Sequence, residues 1–124
     1  VRRLRSVAAG YLHTVGVTRD GTVLAAGDRA AGIDEARAWR HVTAVSAGSH
    51  HTVAVVDGGR VLAAGDDSRG QCDVAAWRDV VAVAAGSTHT LGLRADGTVL
   101  AAGNDDDGQC DVDHWQLARA RRGG

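Results

Sequence analysis

The sequence has no proline, methionine, phenylalanine or lysine, and aromatic residues make up only 3% of its 124 positions. A core without Phe or Met must be built from Ala, Val and Leu. Such side chains bury little area each, at about 25 cal/mol per Å² of apolar surface. A short segment of this composition cannot offset the entropy of its own ordering, so its pieces must stack. No run of about 18 apolar residues occurs, which predicts no membrane-spanning helix. The formal charge is −1, so no global field draws the chain to nucleic acid or anionic membrane. The stretch VRRLRSVAAGYLHTVGV lacks a continuous apolar core, because Gly10, His13 and Thr14 interrupt it. No signal peptide is read there, and a cytoplasmic location is expected. The all-arginine basic set suits a GC-rich genome. Only two cysteines are present, Cys72 and Cys110. They fall at equivalent points of neighbouring repeats, where stacked sheets stand about 10 Å apart, beyond a disulfide's reach of about 7 Å. Free thiols are expected.

What the chain does have is a repeat of period 38 without insertion or deletion. Gly10, Gly48 and Gly86 mark it, as do His13, His51 and His89. Gly27, Gly65 and Gly103 follow the same period, and so do Trp39, Trp77 and Trp115. The phase defines units 2–39, 40–77 and 78–115 of one repeat domain, with 116–124 as a basic tail that abandons the pattern. Within the second unit, VTAVSAG and HTVAVV alternate with period two. In HTVAVV, His51, Val53 and Val55 share one face, and Thr52, Ala54 and Val56 share the other. Turns are expected at Asp20-Gly21, Gly58-Gly59 and Asp96-Gly97, where glycine accepts a positive φ. VLAAG gives a third strand and QCDVA a short fourth. The segment EARAWRH in the first unit is a weak helix alternative. The expected fold is all-β, three four-stranded antiparallel blades of a β-propeller. A β-trefoil or β-prism with threefold repeats is the alternative.

The copy VVAVAAGSTHTLGLRADGTVLAAGNDDDGQCDV resembles the repeat of the regulator of chromosome condensation family. Val80, Val83, Gly86, His89, Thr90, Leu91, Leu93, Asp96, Gly97, Val99, Leu100, Gly103, Asn104, Gly108 and Gln109 carry the likeness. The short ending GQCDVxxW is similar to compact bacterial members. The resemblance implies a β-propeller with a binding role. The family's propellers commonly have seven blades of longer repeats, and this chain has three. In the first copy Ile33-Asp34-Glu35 replaces the Gln-Cys-Asp of the others. Nucleotide exchange by the eponymous member resides in specialised loops that a 38-residue unit lacks, so that activity is not carried over.

Three equivalent histidines could ligate zinc, but one per blade lies far from its mates. In the motif G-x-x-H the residue is read as structural, bonding a neighbouring backbone. His41, His50 and His114 occur once each and are read as surface residues. The loops 66–70 and 104–108 are rich in Asp and could attract Ca²⁺. They lack its alternating ligand spacing, and turn formation accounts for their composition. No catalytic residue, metal site or cofactor is expected. A site repeated identically over units suits binding, whereas catalysis needs an asymmetric group. Arg2, Arg3 and Arg5 open the chain, and Asp105, Asp106 and Asp107 lie in the acidic third unit. These are the candidate interface residues, a basic and an acidic end suited to head-to-tail contact. The expectation is a non-enzymatic interaction or self-assembly module. Its partner is expected to be itself, as a homodimer closing six blades, or another protein. Nucleic acid is not expected, since the basic residues lack interleaved aromatics. A carbohydrate-binding propeller with exposed tryptophan platforms is the alternative.

Overall fold

The computed structural model describes residues 4–117. Nine strands among them form three separate antiparallel sheets. The first contains β1 (Leu4–Ala9), β2 (His13–Thr18) and β3 (Val23–Gly27). The second contains β4 (Val42–Ala47), β5 (His51–Val56) and β6 (Arg60–Gly65). The third contains β7 (Val80–Ala85), β8 (His89–Arg94) and β9 (Val99–Gly103). In each sheet the middle strand pairs with both neighbours, in the same register throughout. The first strand of each carries a β-bulge, at Arg5, Thr43 and Val81. Such a bulge adds local twist.

The turn glycines Gly21, Gly59 and Gly97 have φ of 83°, 78° and 90°. A Cβ at Gly59 would stand 2.8 Å from Asp79 Cα. The reason is that the chain leaving each unit crosses that unit's own hairpin before entering the next. Val42 N–H donates to Gly21 O and Val80 N–H to Gly59 O, both at 3.0 Å. Leu117 N–H makes the corresponding bond to Gly97 O at 2.8 Å, and Gln116 bridges Thr98.

The expected fourth strand is absent from the described residues. Segment 71–77 instead folds as consecutive turns, with Asp73 N–H bonded to Gly70 O, Val74 N–H to Cys72 O and Trp77 N–H to Val74 O. Those bonds consume the groups that a ladder would need. The third unit repeats them at Asp111, Val112 and Trp115. In the first unit the same stretch forms a 3₁₀ turn, Arg29–Ala31, and the single-turn helix α1, Ile33–Ala36. The helix alternative for that unit therefore holds in part, starting earlier than EARAWRH.

Strand β4 neighbours β1, and β7 neighbours β4, so the sheets radiate from their first strands. Face-to-face packing gives two cores. Val15, Val17 and Val23 of the first sheet meet Val42, Val45, Ala47 and Ala54 of the second. Val55, Val61, Val74 and Trp77 meet Val80, with Val83, Leu100 and Ala102 packed against them. The β1–β2, β4–β5 and β7–β8 turns share one rim with the loops that follow the third strands, since Asp28, Asp66 and Asn104 donate N–H to Leu12, His50 and Thr88. This is the loop rim. The β2–β3, β5–β6 and β8–β9 turns form the opposite, hairpin rim.

Candidate functional site

The spacing G-x-x-H has a steric cause. A Cβ placed on Gly10, Gly48 or Gly86 would fall 2.6, 2.4 and 2.4 Å from Cε1 of His13, His51 and His89. Each imidazole lies flat on the glycine three residues before it, and no other residue leaves that space. The ring then reaches into the next unit. His13 Nε2 is 2.9 Å from Thr52 Oγ1, and His51 Nε2 is 2.8 Å from Thr90 Oγ1. Each threonine hydroxyl donates its one proton back to the first unit of its pair, to Ala31 O at 2.8 Å and Gln71 O at 2.7 Å. The hydroxyl can therefore only accept from the ring, which fixes the imidazoles as Nε2–H tautomers. Nδ1 of His13 and His51 is buried and has no hydrogen-bond partner. Burial holds both imidazoles below their ordinary pKa, with the neighbouring His13 adding to the effect at His51. The histidines thus bond a side chain across the joint, with the backbone of the next histidine, the neighbour expected, also acting on the ring. The threonines were missed as site residues, although Thr14, Thr52 and Thr90 follow each histidine without exception.

Tryptophan completes the joint. Trp77 is buried, its ring against the Cα of Gly92 in the third sheet, where a Cβ would meet Cζ3 at 2.8 Å. Trp39 packs half-buried on the first core. Gly27, Gly65 and Gly103 close the third strands at φ of 122°, 110° and 116°, pressed on the loop-rim turns. Gln71, also missed, is fully buried and accepts from Arg69 N–H while donating to Asp66. Its counterpart in the first unit is Ile33.

Equivalent residues at the two ends of the described chain are more exposed. Trp115 is 45% exposed against 9% for Trp77, and Val7 is 64% exposed against 8% for Val45. Thr14 is exposed while Thr52 and Thr90 are wholly buried. His89 is half-buried while His51 is wholly buried. The first sheet presents the threonine half of a joint, and the third presents the histidine half. Trp77 is covered, Trp39 partly buried and Trp115 exposed, so the three tryptophans are not presented alike.

The Asp-rich loops cap themselves. Asp66 and Asn104 accept the N–H groups of Ser68 and Asp106, and Asp67 and Asp105 accept those of Cys72 and Cys110. Asp106 pairs with Arg69 of the second unit at 3.3 Å, and Asp107 is exposed. Cys72 and Cys110 are free and half-buried. Burial, then Asp67 and Asp66, push the Cys72 thiol up to about 11. Burial and Asp105 raise Cys110. Asp111, Asp113 and His114 are exposed neighbours, with the imidazole paired to both carboxylates.

Of the candidate interface residues, Arg2 and Arg3 lie outside the described residues. Arg5 sits on the hairpin rim opposite Val17 and Thr18, and Asp105–Asp107 sit on the loop rim. A six-residue strand separates the two rims by about 20 Å, more than twice the screening length of about 8 Å. An open groove of about 350 Å³ lies on the hairpin rim, with Arg5, Thr43 and Val81 contributing the bulge residues and Asp57 the one carboxylate.

The family model for the regulator of chromosome condensation (RCC1) repeat matches residues 4–31, 42–71 and 80–109. The chain belongs to this family. No curated protein sequence matches it at a significant level. Among solved structures, the regulator of chromosome condensation repeats here superpose on human WBSCR16 with a TM-score of 0.74 at 23% identity, covering 96% of this chain and 39% of that one. Prp20p of Saccharomyces cerevisiae, described with binding properties toward Gsp1p and histones, gives 0.72 at 23% identity over 85% of this chain and 32% of its own. The ectodomain of the Arabidopsis thaliana receptor kinase ACR4 gives 0.65 at 22% identity over 81% and 38%. The fold is that of an incomplete β-propeller, and the chain spans about a third of the length of these proteins.

Proposed function

We propose that this chain is a non-enzymatic protein-binding module that works through its open end faces, with a second copy closing a ring of six blades. One observation carries the reading: residues covered at the internal joints have counterparts on the two end faces that are more exposed. Exposed apolar patches of this kind mark interfaces. An interface that joins two different faces closes a ring or grows a filament, and six blades is a usual propeller size. Relatives of the same fold support protein binding as the general role, since yeast RCC1 (Prp20) is known bound to Kap60. The open groove supports no catalytic reading, because its charged lining consists of Arg5 and Asp57 alone. Contact between Arg5 and the acidic third unit is not what would hold the ring. In a joint built like the internal ones, loop rim meets loop rim, and Arg5 stays a strand length from Asp105–Asp107.

Light scattering over a concentration series tests this. A mass of two chains at micromolar concentration is expected, with Trp115 shielded from iodide in the dimer and quenched on dilution. A folded monomer throughout that range overturns the self-closing reading.

A further inference from the structure

We infer, resting on the self-association just proposed, that the joint between copies is head-to-tail and is keyed by His89 of one copy against Thr14 of the next. Both internal joints obey one rule. A histidine at the start of a middle strand donates to the threonine 39 positions later, and that hydroxyl donates back to a carbonyl of the histidine's own unit. Among the described residues His89, half-buried, and Thr14, exposed, take no part in such a bond. The two end faces of the described residues thus offer one such donor, one such acceptor and the carbonyl to finish the relay, that of Gln109, which matches Gln71.

The rest of the face agrees in kind. Trp115 stands where Trp77 stands, and Gly16 stands where Gly92 receives the Trp77 ring. Val7 and Leu24, 64% and 39% exposed, are the counterparts of Val45 and Leu62. A twofold joint of like with like would bring threonine to threonine and leave both imidazoles bare. The occupant that continues the interface is a second copy facing the same way, and a two-copy ring contains the joint twice. The relay sets the register of that joint, because a slip of one residue turns every side chain of a strand to its other face.

Ser49 and Ser87 hydroxyls lie 3.2 Å apart across the second joint, and the residue equivalent to Ser49 in the first unit is Tyr11. Tyr11→Cys and Ser87→Cys are therefore the probes, with Ser49→Cys/Ser87→Cys in one chain as the geometric control. Under mild oxidation, mixing the two single variants should give a covalent dimer. Neither should cross-link alone, and the control should form an internal disulfide. Separately, Thr14→Val and His89→Gln should each raise the dimer dissociation constant about a hundredfold, from about tenfold at each of two joints. Thr14 is exposed within its own chain, so its variant folds as the parent does.

The outcomes separate the two ideas. A monomer at all concentrations removes the self-association and this inference together. A dimer whose mixed variants fail to cross-link, or whose single variants cross-link to themselves, leaves self-association standing and overturns the head-to-tail joint. A cross-linked dimer with unchanged affinity in Thr14→Val overturns the role of the histidine–threonine key.

Discussion

Thr90→Val tests the polar seam between the second and third units. Thr90, His51 and Gln71 are all fully buried. The hydroxyl accepts from His51 Nε2 at 2.8 Å and donates to Gln71 O at 2.7 Å. Valine keeps the shape of threonine, so no cavity opens. What is lost is one partner for a buried N–H and one for a buried carbonyl. Each such orphan costs about 1–3 kcal/mol, which gives about 2–6 kcal/mol in total. That is a large share of the ordinary stability of a domain, about 5–15 kcal/mol. Thr90→Ser keeps the hydroxyl and removes one methyl, for about 1 kcal/mol. The measurement is urea unfolding followed by tryptophan fluorescence at fixed protein concentration, since Trp77 lies in the same joint. Valine should be the more damaging change by at least 1 kcal/mol. If serine costs as much as valine, packing rather than the relay holds the seam, and the assignment of donor and acceptor fails.

Stability should also depend on pH in one direction. His13 and His51 are held neutral by burial, with pKa lowered from 6.5. The unfolded chain then binds more protons, so stability is full above about pH 6.5 and drains as pH falls below it; denaturation midpoints from pH 8 to 5 read this, and a flat profile refutes it. Trp77→Ala should cost about 3–5 kcal/mol in a melt, while Trp115→Ala, 45% exposed, should cost much less in dilute protein. Gly48→Ala should be among the worst single changes, because its Cβ would meet both His51 and the Gly86 carbonyl at 2.4 Å; expression and circular dichroism show whether the fold survives. A thiol reagent at pH 8 should label Cys72 far more slowly in the folded than in the urea-unfolded chain, because its thiol is pushed up to about 11 and the thiolate is what reacts.

The sheets were legible because their signals are local. Alternation in HTVAVV and glycine at each turn need only neighbouring residues. The fourth strand failed because QCDVA is too short for alternation to separate a strand from successive turns. The decisive facts there are the caps supplied by Asp67 and Asp105. The histidine was legible as structural, yet its partner lies one unit and one residue away, and no periodicity within a strand reveals such a pair. The invariant threonine beside each histidine was the available signal. The sequence also shows where charges fall along the chain but not on which rim. Only the strand directions place Arg5 and Asp105–Asp107 at opposite rims.

The crossing of each outgoing segment over its own hairpin has a consequence for how such a chain can change over generations. Val42 on Gly21 and Val80 on Gly59 are clasps that straddle the boundary between units. Any exchange between misaligned gene copies, at whatever point in the period it occurs, adds or removes a whole period. The residues that form each clasp and each histidine–threonine bond recur on the two sides of the new junction. An array of this design can be lengthened or shortened by recombination alone, and the number of units is its most easily altered property.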